Sequence, residues 1–147
     1  MNYLDTSALI KRFVNEKGSS LAQSLVQRSG PIATATIAYA EVFSSLTRKL
    51  REKHLSRTLY GLACRQFDGD WPAYVRVELS EEILVLARDL IQRHPLRGFD
   101  AVHLASAVSL RNALGEHITF VAADGRLLKA AQSEKLAVLN IETADVQ

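Results

Sequence analysis

Met1-Asn2-Tyr3-Leu4-Asp5-Thr6-Ser7-Ala8-Leu9-Ile10 is the stretch from which the rest of the chain is read. Met1 to Leu4 forms a short apolar strand. Asp5-Thr6-Ser7 then offers side chains that accept from the unpaired N–H groups of a helix start, so a helix comes at once, to about Phe13. The same unit recurs. Ile32 to Ala35 is a small-residue strand, with Thr36 as the expected cap of a helix to Lys53 whose Tyr39, Val42, Phe43, Leu46 and Leu50 share one face. Tyr74 to Leu79 alternates as a strand, and Ser80-Glu81-Glu82 opens a helix with Ile83, Ala87, Leu90 and Ile91 on its face. Ile118 to Ala123 leads through Asp124-Gly125 into a helix over Arg126 to Glu134, and Ala137 to Ile141 is a last strand.

Between these units, helices fit Ser19 to Arg28, closed by Ser29-Gly30-Pro31, and Ser56 to Phe67. After a loop from His94 to Gly98, Phe99 to Leu114 is apolar almost all round, which predicts a helix buried in the middle of the protein. Its polar members, Asp100, His103, Ser106 and Ser109, form one row. Strands alternating with helices, in apolar runs without strict alternation, predict an α/β fold: a single-domain three-layer α/β/α sandwich over residues 1–147 with a central, mostly parallel sheet.

Composition excludes several classes. With 147 residues, 48% of them apolar, there is material for one core, and 7 Gly with 3 Pro exclude a low-complexity chain. Cys64 is the only cysteine, so neither an internal disulfide nor a cysteine-built zinc site is available, as expected of a cytoplasmic protein. No membrane span or signal peptide is expected, and the mature chain is expected to start at Met1. Eighteen Lys and Arg against sixteen Asp and Glu leave a net charge of +2, which permits a nucleic-acid partner without demanding one. Arg48, Lys49, Arg51, Lys53, His54 and Arg57 crowd together with Glu52 as their only acid. They read either as a solvated helix end or as a phosphate-binding patch. Arg48 lies seven residues beyond Glu41, about 10.5 Å along the same helix face, whereas Lys49 and Arg51 are expected to point elsewhere.

Open parallel sheets bind ligands outside the carboxyl ends of their strands. Asp5 and Asp124 end strands there, Asp100 opens the buried helix, and Glu41 sits early in the helix after the second strand, so four acids can meet at one edge. Each has a plainer explanation: helix capping for Asp5, Asp100 and Asp124, and a solvent-facing position for Glu41. His103 reads as a satisfied core histidine, and the Tyr, Phe and Trp residues read as core. Hard oxygen ligands at one locus, without Cys or His, suit Mg²⁺ or Mn²⁺.

Leu4-Asp5-Thr6-Ser7-Ala8-Leu9, Ala40-Glu41-Val42, Phe99-Asp100-Ala101-Val102-His103-Leu104-Ala105 and Val121-Ala122-Ala123-Asp124-Gly125-Arg126-Leu127 resemble, in order and spacing, the four acidic motifs of PIN-domain ribonucleases. Across the whole chain the resemblance is greatest to the VapC toxins of toxin–antitoxin pairs. Where that family commonly has Thr-Phe-Asp, Ala122-Ala123 precede Asp124. The resemblance implies a Mg²⁺- or Mn²⁺-dependent endoribonuclease leaving 5′-phosphate and 3′-hydroxyl ends, a cognate antitoxin inserting a segment into the acidic cleft, and a homodimer. It implies Asp5, Glu41, Asp100 and Asp124 as the acids. Among them Asp5 and Asp100 are expected as direct metal ligands, with Asp124 completing the site, directly or through water. Glu41 is expected to orient or deprotonate the attacking water, Thr6 to support Asp5 through its hydroxyl, and Arg48 to guide the RNA backbone. The alternative is a non-catalytic RNA- or protein-binding module of the same fold. A receiver-type phosphoacceptor domain fits poorly, because Asp5 is followed by Thr6-Ser7 and not by a second acid.

Overall fold

The computed structural model describes residues 1–28 and 30–144; of the expected break Ser29-Gly30-Pro31, Ser29 lies outside them. Five strands, β1 (Asn2–Leu4), β2 (Ile32–Ala35), β3 (Val75–Val77), β4 (Thr119–Ala122) and β5 (Ala137–Asn140), form one sheet in the order β3-β2-β1-β4-β5. Every neighbouring pair is parallel. The helices are α1 (Thr6–Leu9), continued by a 3₁₀ turn at Ile10–Arg12, α2 (Ser19–Arg28), α3 (Ala38–Arg51), α4 (Arg57–Asp70), α5 (Glu81–Arg93), α6 (Gly98–Leu114) and α7 (Gly125–Ser133).

Successive residues of the central strands feed two separate cores. Tyr3, Ala33 and Phe120 point into one, with Ile83 and Leu90 of α5, the buried run of α6 and Leu127 of α7. Leu4, Ile32 and Val121 point into the other, with Leu9, Val42 and Leu46 of α3, and Phe67 of α4. A strand apolar on both faces cannot lie at a surface, so the sequence pattern and the three-layer sandwich are one fact. From Ala101 to Val108 every residue of α6 is buried, as its all-round apolar pattern predicts. Among the described residues no helix is long and apolar enough to cross a membrane.

Some boundaries differ from expectation for local reasons. Thr36 does not cap α3: its N–H continues the sheet ladder to the Val77 carbonyl at 3.0 Å, and Ile37 stands at the helix start without a side-chain cap. β3 is shorter than Tyr74–Leu79, pairing only along β2 at the sheet edge. The caps at Ser56 and Ser80 form, accepting from Leu59 N at 3.2 Å and Ile83 N at 3.3 Å. α6 stops at Gly115, whose φ of 64° lets its N–H reach the Arg111 carbonyl at 2.9 Å.

β1 lies at the point where the strand order reverses direction, between β2 and β4, the place where open parallel sheets leave a crevice. Gly18 closes the loop beside it. With φ at +91°, the Cα of Gly18 approaches so near that a Cβ would stand 2.6 Å from the Ile141 carbonyl oxygen and 2.9 Å from Lys11 Cδ. Gly18→Ala is therefore expected to destabilise the fold by at least about 1–2 kcal/mol from backbone conformation alone, with the Ile141 clash added; the midpoint of urea unfolding reads this directly.

Candidate active site

A cleft of about 330 Å³ opens over the carboxyl end of β1, and Asp5, Glu41 and Asp100 line it together with Arg48, Arg97 and His103. Asp5 is 5% exposed. It serves as the N-cap of α1: Oδ1 accepts from Ala8 N at 3.0 Å and from the Ser7 hydroxyl at 2.7 Å. Its second oxygen, Oδ2, meets no donor among the described residues. Burial raises the Asp5 pKa, and the charge of Asp100 adds to it; His103, Ser7 and the Ala8 N–H oppose the rise without cancelling it. The capping role thus falls on one oxygen of the carboxylate and leaves the other uncommitted among the described residues.

Glu41 is not the solvent-facing charge its helix position suggests in isolation. Oε1 accepts from the Thr6 hydroxyl at 2.7 Å and from His103 Nε2 at 2.7 Å, so the side chain is held across the cleft from Asp5. Burial pushes its pKa up, but the His103 and Thr6 hydrogen bonds and the histidine's charge outweigh this and leave it lowered. A carboxylate only accepts, so His103 Nε2 donates to Glu41, and Nδ1 lies 2.9 Å from the Tyr3 hydroxyl. His103 is indeed buried and satisfied, as a core histidine should be. Its partners make it a strut running from the core at Tyr3 to the acid at Glu41.

Thr6 therefore does not support Asp5. Ser7 does, because the second helical residue faces back to the cap, while Thr6 faces α3 and Glu41. Ser7 Oγ also accepts from Ala123 N at 3.0 Å, tying α1 to the end of β4. Asp124 does not share the cleft with Asp5 and Glu41. It caps α7, Oδ1 accepting from Arg126 N at 2.8 Å and Leu127 N at 3.3 Å, and lines an adjoining hollow of about 250 Å³ that also holds Arg97 and Asp100. Three of the acids line one cleft, then, and Asp124 lines the hollow beside it together with Asp100.

The basic run divides. Arg48 lines the cleft, as expected, and forms no ion pair among the described residues. Lys49 lines it too, against expectation, paired with Glu16 at 3.0 Å. Arg51, Lys53 and His54 border a different hollow at the end of α3. Sequence reasoning missed Arg97, whose Nε donates to Asp100 Oδ2 at 3.3 Å, although the i,i+3 spacing at a helix start could have suggested it. It also missed Lys11, buried in the cleft wall between Glu16 at 3.3 Å and Glu142 at 2.7 Å. Nothing in the sequence joins Lys11 to Glu142.

The donor set fits a hard cation in kind: Asp5, Glu41 and Asp100 are oxygen donors, each with one oxygen uncommitted among the described residues. Among those residues no three His, Cys, Asp or Glu side chains stand near enough to one another to hold a metal ion as they are.

The family model described as PIN domain matches residues 3–133. The chain belongs to the PIN-domain family. Ribonuclease VapC45 of Mycobacterium tuberculosis is 37% identical over 108 residues, 74% of this chain and 75% of that relative. Ribonuclease VapC46 of the same species is 31% identical over 138 residues, covering 93% of this chain and 95% of its own. Among solved structures, a toxin–antitoxin complex from Klebsiella pneumoniae superposes with a TM-score of 0.68 at 18% identity, over 96% of this chain and 98% of that one, which shows the shared fold.

In this PIN domain the Asp5 charge opposes folding. A raised folded-state pKa means that the folded chain holds the proton above the ordinary carboxylate range, so stability falls as pH rises from that range through the folded value, and stays lower beyond it. Asp5→Asn retains an oxygen for the Ala8 cap. In chelator it is expected to melt above wild type at pH 7, with the difference shrinking as pH drops below the carboxylate range; a series of thermal melts against pH measures it.

Proposed function

We propose that this chain is a metal-dependent endoribonuclease, the toxin of a toxin–antitoxin pair, with Asp5, Glu41, Asp100 and Asp124 as its acids. The observation that carries the reading is the strained carboxylate group at the strand-order reversal. A module that only bound a partner would have no use for a buried Asp5 whose ionisation costs stability, whereas groups of this kind collect at reaction centres. The family to which the chain belongs, its relatives named as ribonucleases, and a toxin–antitoxin complex of the same fold support it.

Asp5 and Asp100 would hold Mg²⁺ or Mn²⁺, with Asp124 completing the set across the adjoining hollow. When bound, the ion supplies positive charge to the phosphodiester oxygens and lowers the pKa of water. Glu41, fixed on Oε1 by Thr6 and His103, presents Oε2 to the cleft and takes the proton of the attacking water as its oxygen adds to phosphorus. The bond to the 3′ oxygen breaks and that oxygen takes a proton from solvent water, leaving a 5′-phosphate on one product and a 3′-hydroxyl on the other. Arg48 and Arg97 bind the flanking phosphates. The antitoxin would cover this cleft, and the homodimer belongs to the same proposal, tested by light scattering of the purified chain.

Asp5→Asn and Asp100→Asn are expected to abolish cleavage of end-labelled RNA, and Glu41→Gln to slow it by at least about a hundredfold. EDTA is expected to stop the wild type, Mn²⁺ or Mg²⁺ to restore it, and Ca²⁺ not to; full activity in chelator would refute the metal assignment. Arg48→Ala is expected to weaken RNA binding and to flatten the slope of log K against log salt by about 0.7, one phosphate's worth on a single strand. An unchanged slope, measured by titration across a salt series, would return Arg48 to the solvated helix end.

A further inference from the structure

Among the described residues Phe99 is the large apolar side chain with the highest exposure, 61%, and it belongs to neither core. Its sequence context places it at the head of a buried helix; in the fold it is exposed in the first turn of α6, one position before Asp100. It borders two hollows, and Glu41 lies in both. The larger, about 520 Å³, has Phe99 on one side, the small side chains Ala40 and Ser44 of α3 on the other, and Arg48 among its lining residues. The smaller is bounded by Arg97 and Asp100. One aromatic side chain thus borders both hollows, the first lined also by small residues of α3 and the Arg48 guanidinium, the second by Arg97.

We propose that Phe99 is a stacking platform for an unpaired nucleobase of the RNA strand, seated between Phe99 and the Ala40–Ser44 face of α3, while Arg48 holds a neighbouring phosphate. This rests on the ribonuclease reading above and adds a base subsite to it. The ring offers a π-face to any base, which gives affinity with little sequence preference. Charge favours a nucleotide over an apolar peptide here: an anionic backbone satisfies Arg48, which has no acid paired with it among the described residues, and Arg97, whose one acid partner is Asp100. A paired base could not enter, because in an A-form helix its faces are stacked and its edges engaged.

The test is fluorescence anisotropy in EDTA, where binding is read without cleavage. The probes are a short labelled single-stranded RNA of mixed sequence and an abasic sugar-phosphate strand of the same length. Wild type is expected to prefer the base-bearing strand. Phe99→Ala is expected to lose about 5- to 150-fold of affinity for it, the span of one base–aromatic stack, and none for the abasic strand; Phe99→Trp is expected to retain affinity and Phe99→Leu to lose it. Equal thermal melts would show that the exposed side chain is not needed for folding. If Phe99→Ala binds the base-bearing strand as wild type does, while wild type binds and, with Mn²⁺, cuts RNA, the platform is refuted and the ribonuclease reading stands. If wild type binds neither strand in EDTA but cuts RNA with Mn²⁺, the platform is refuted and the ribonuclease reading stands; if it neither binds nor cuts, both fall.

Discussion

The end of β1 is the point on which the rest of this molecule turns. β1 is covered on both faces and paired on both edges, so the residue after Leu4 is delivered to a fixed place with little freedom. That residue is Asp5, and burying a carboxylate there costs solvation that one cap and one serine hydroxyl only partly return. The shortfall is held in place by the strength of the surrounding packing. A less buried strand could not keep an anion so poorly satisfied at its tip.

The fold was legible because its signals are local. Apolar runs such as Val121-Ala122, the buried span of α6 and the serine caps at Ser56 and Ser80 act within a turn or two of the chain, and they appear where the pattern puts them. The acids were legible too, since each sits at a strand end or helix start that the topology collects on one edge. Partnership was not. Thr6 and Ser7 are adjacent hydroxyls of equal promise, and only the direction of α1 relative to α3 assigns one to Glu41 and the other to Asp5. The separation of Asp124 from the main cleft, the strut from Tyr3 through His103, and the bond of Lys11 to Glu142 all depend on distances between segments far apart in sequence. Phe99 misled for the opposite reason: composition says that a phenylalanine wants burial, yet a helix apolar on every side must still have one residue facing outward at its first turn.

Electrostatics in the cleft obeys a consistent arrangement. Asp5, whose burial its partners do not offset, sits at the floor and Asp100 is paired with Arg97, while Glu16 and Glu142 of the wall are tied to Lys11 and Lys49. Burial raises the pKa of Glu16, yet its two lysines lower it further than burial lifts it, the reverse of the balance at Asp5. The lysines of the wall are thereby neutralised by its own acids, and the anion left poorly compensated is the one at the floor.

The strand order also sets a timetable. β1 is made first, but its ladder to β4 waits for Thr119–Ala122, and a parallel pair has no hairpin through which it could form early. Until that ladder closes, Ser7 has no Ala123 N–H to hold and the crevice beside Asp5 has only one wall. During synthesis, therefore, Asp5, Glu41 and Asp100 share no finished cleft until Thr119–Ala122 is available to pair with β1. Sequence order thus acts as a brake: the crevice gains its second wall only once the chain has grown past Thr119.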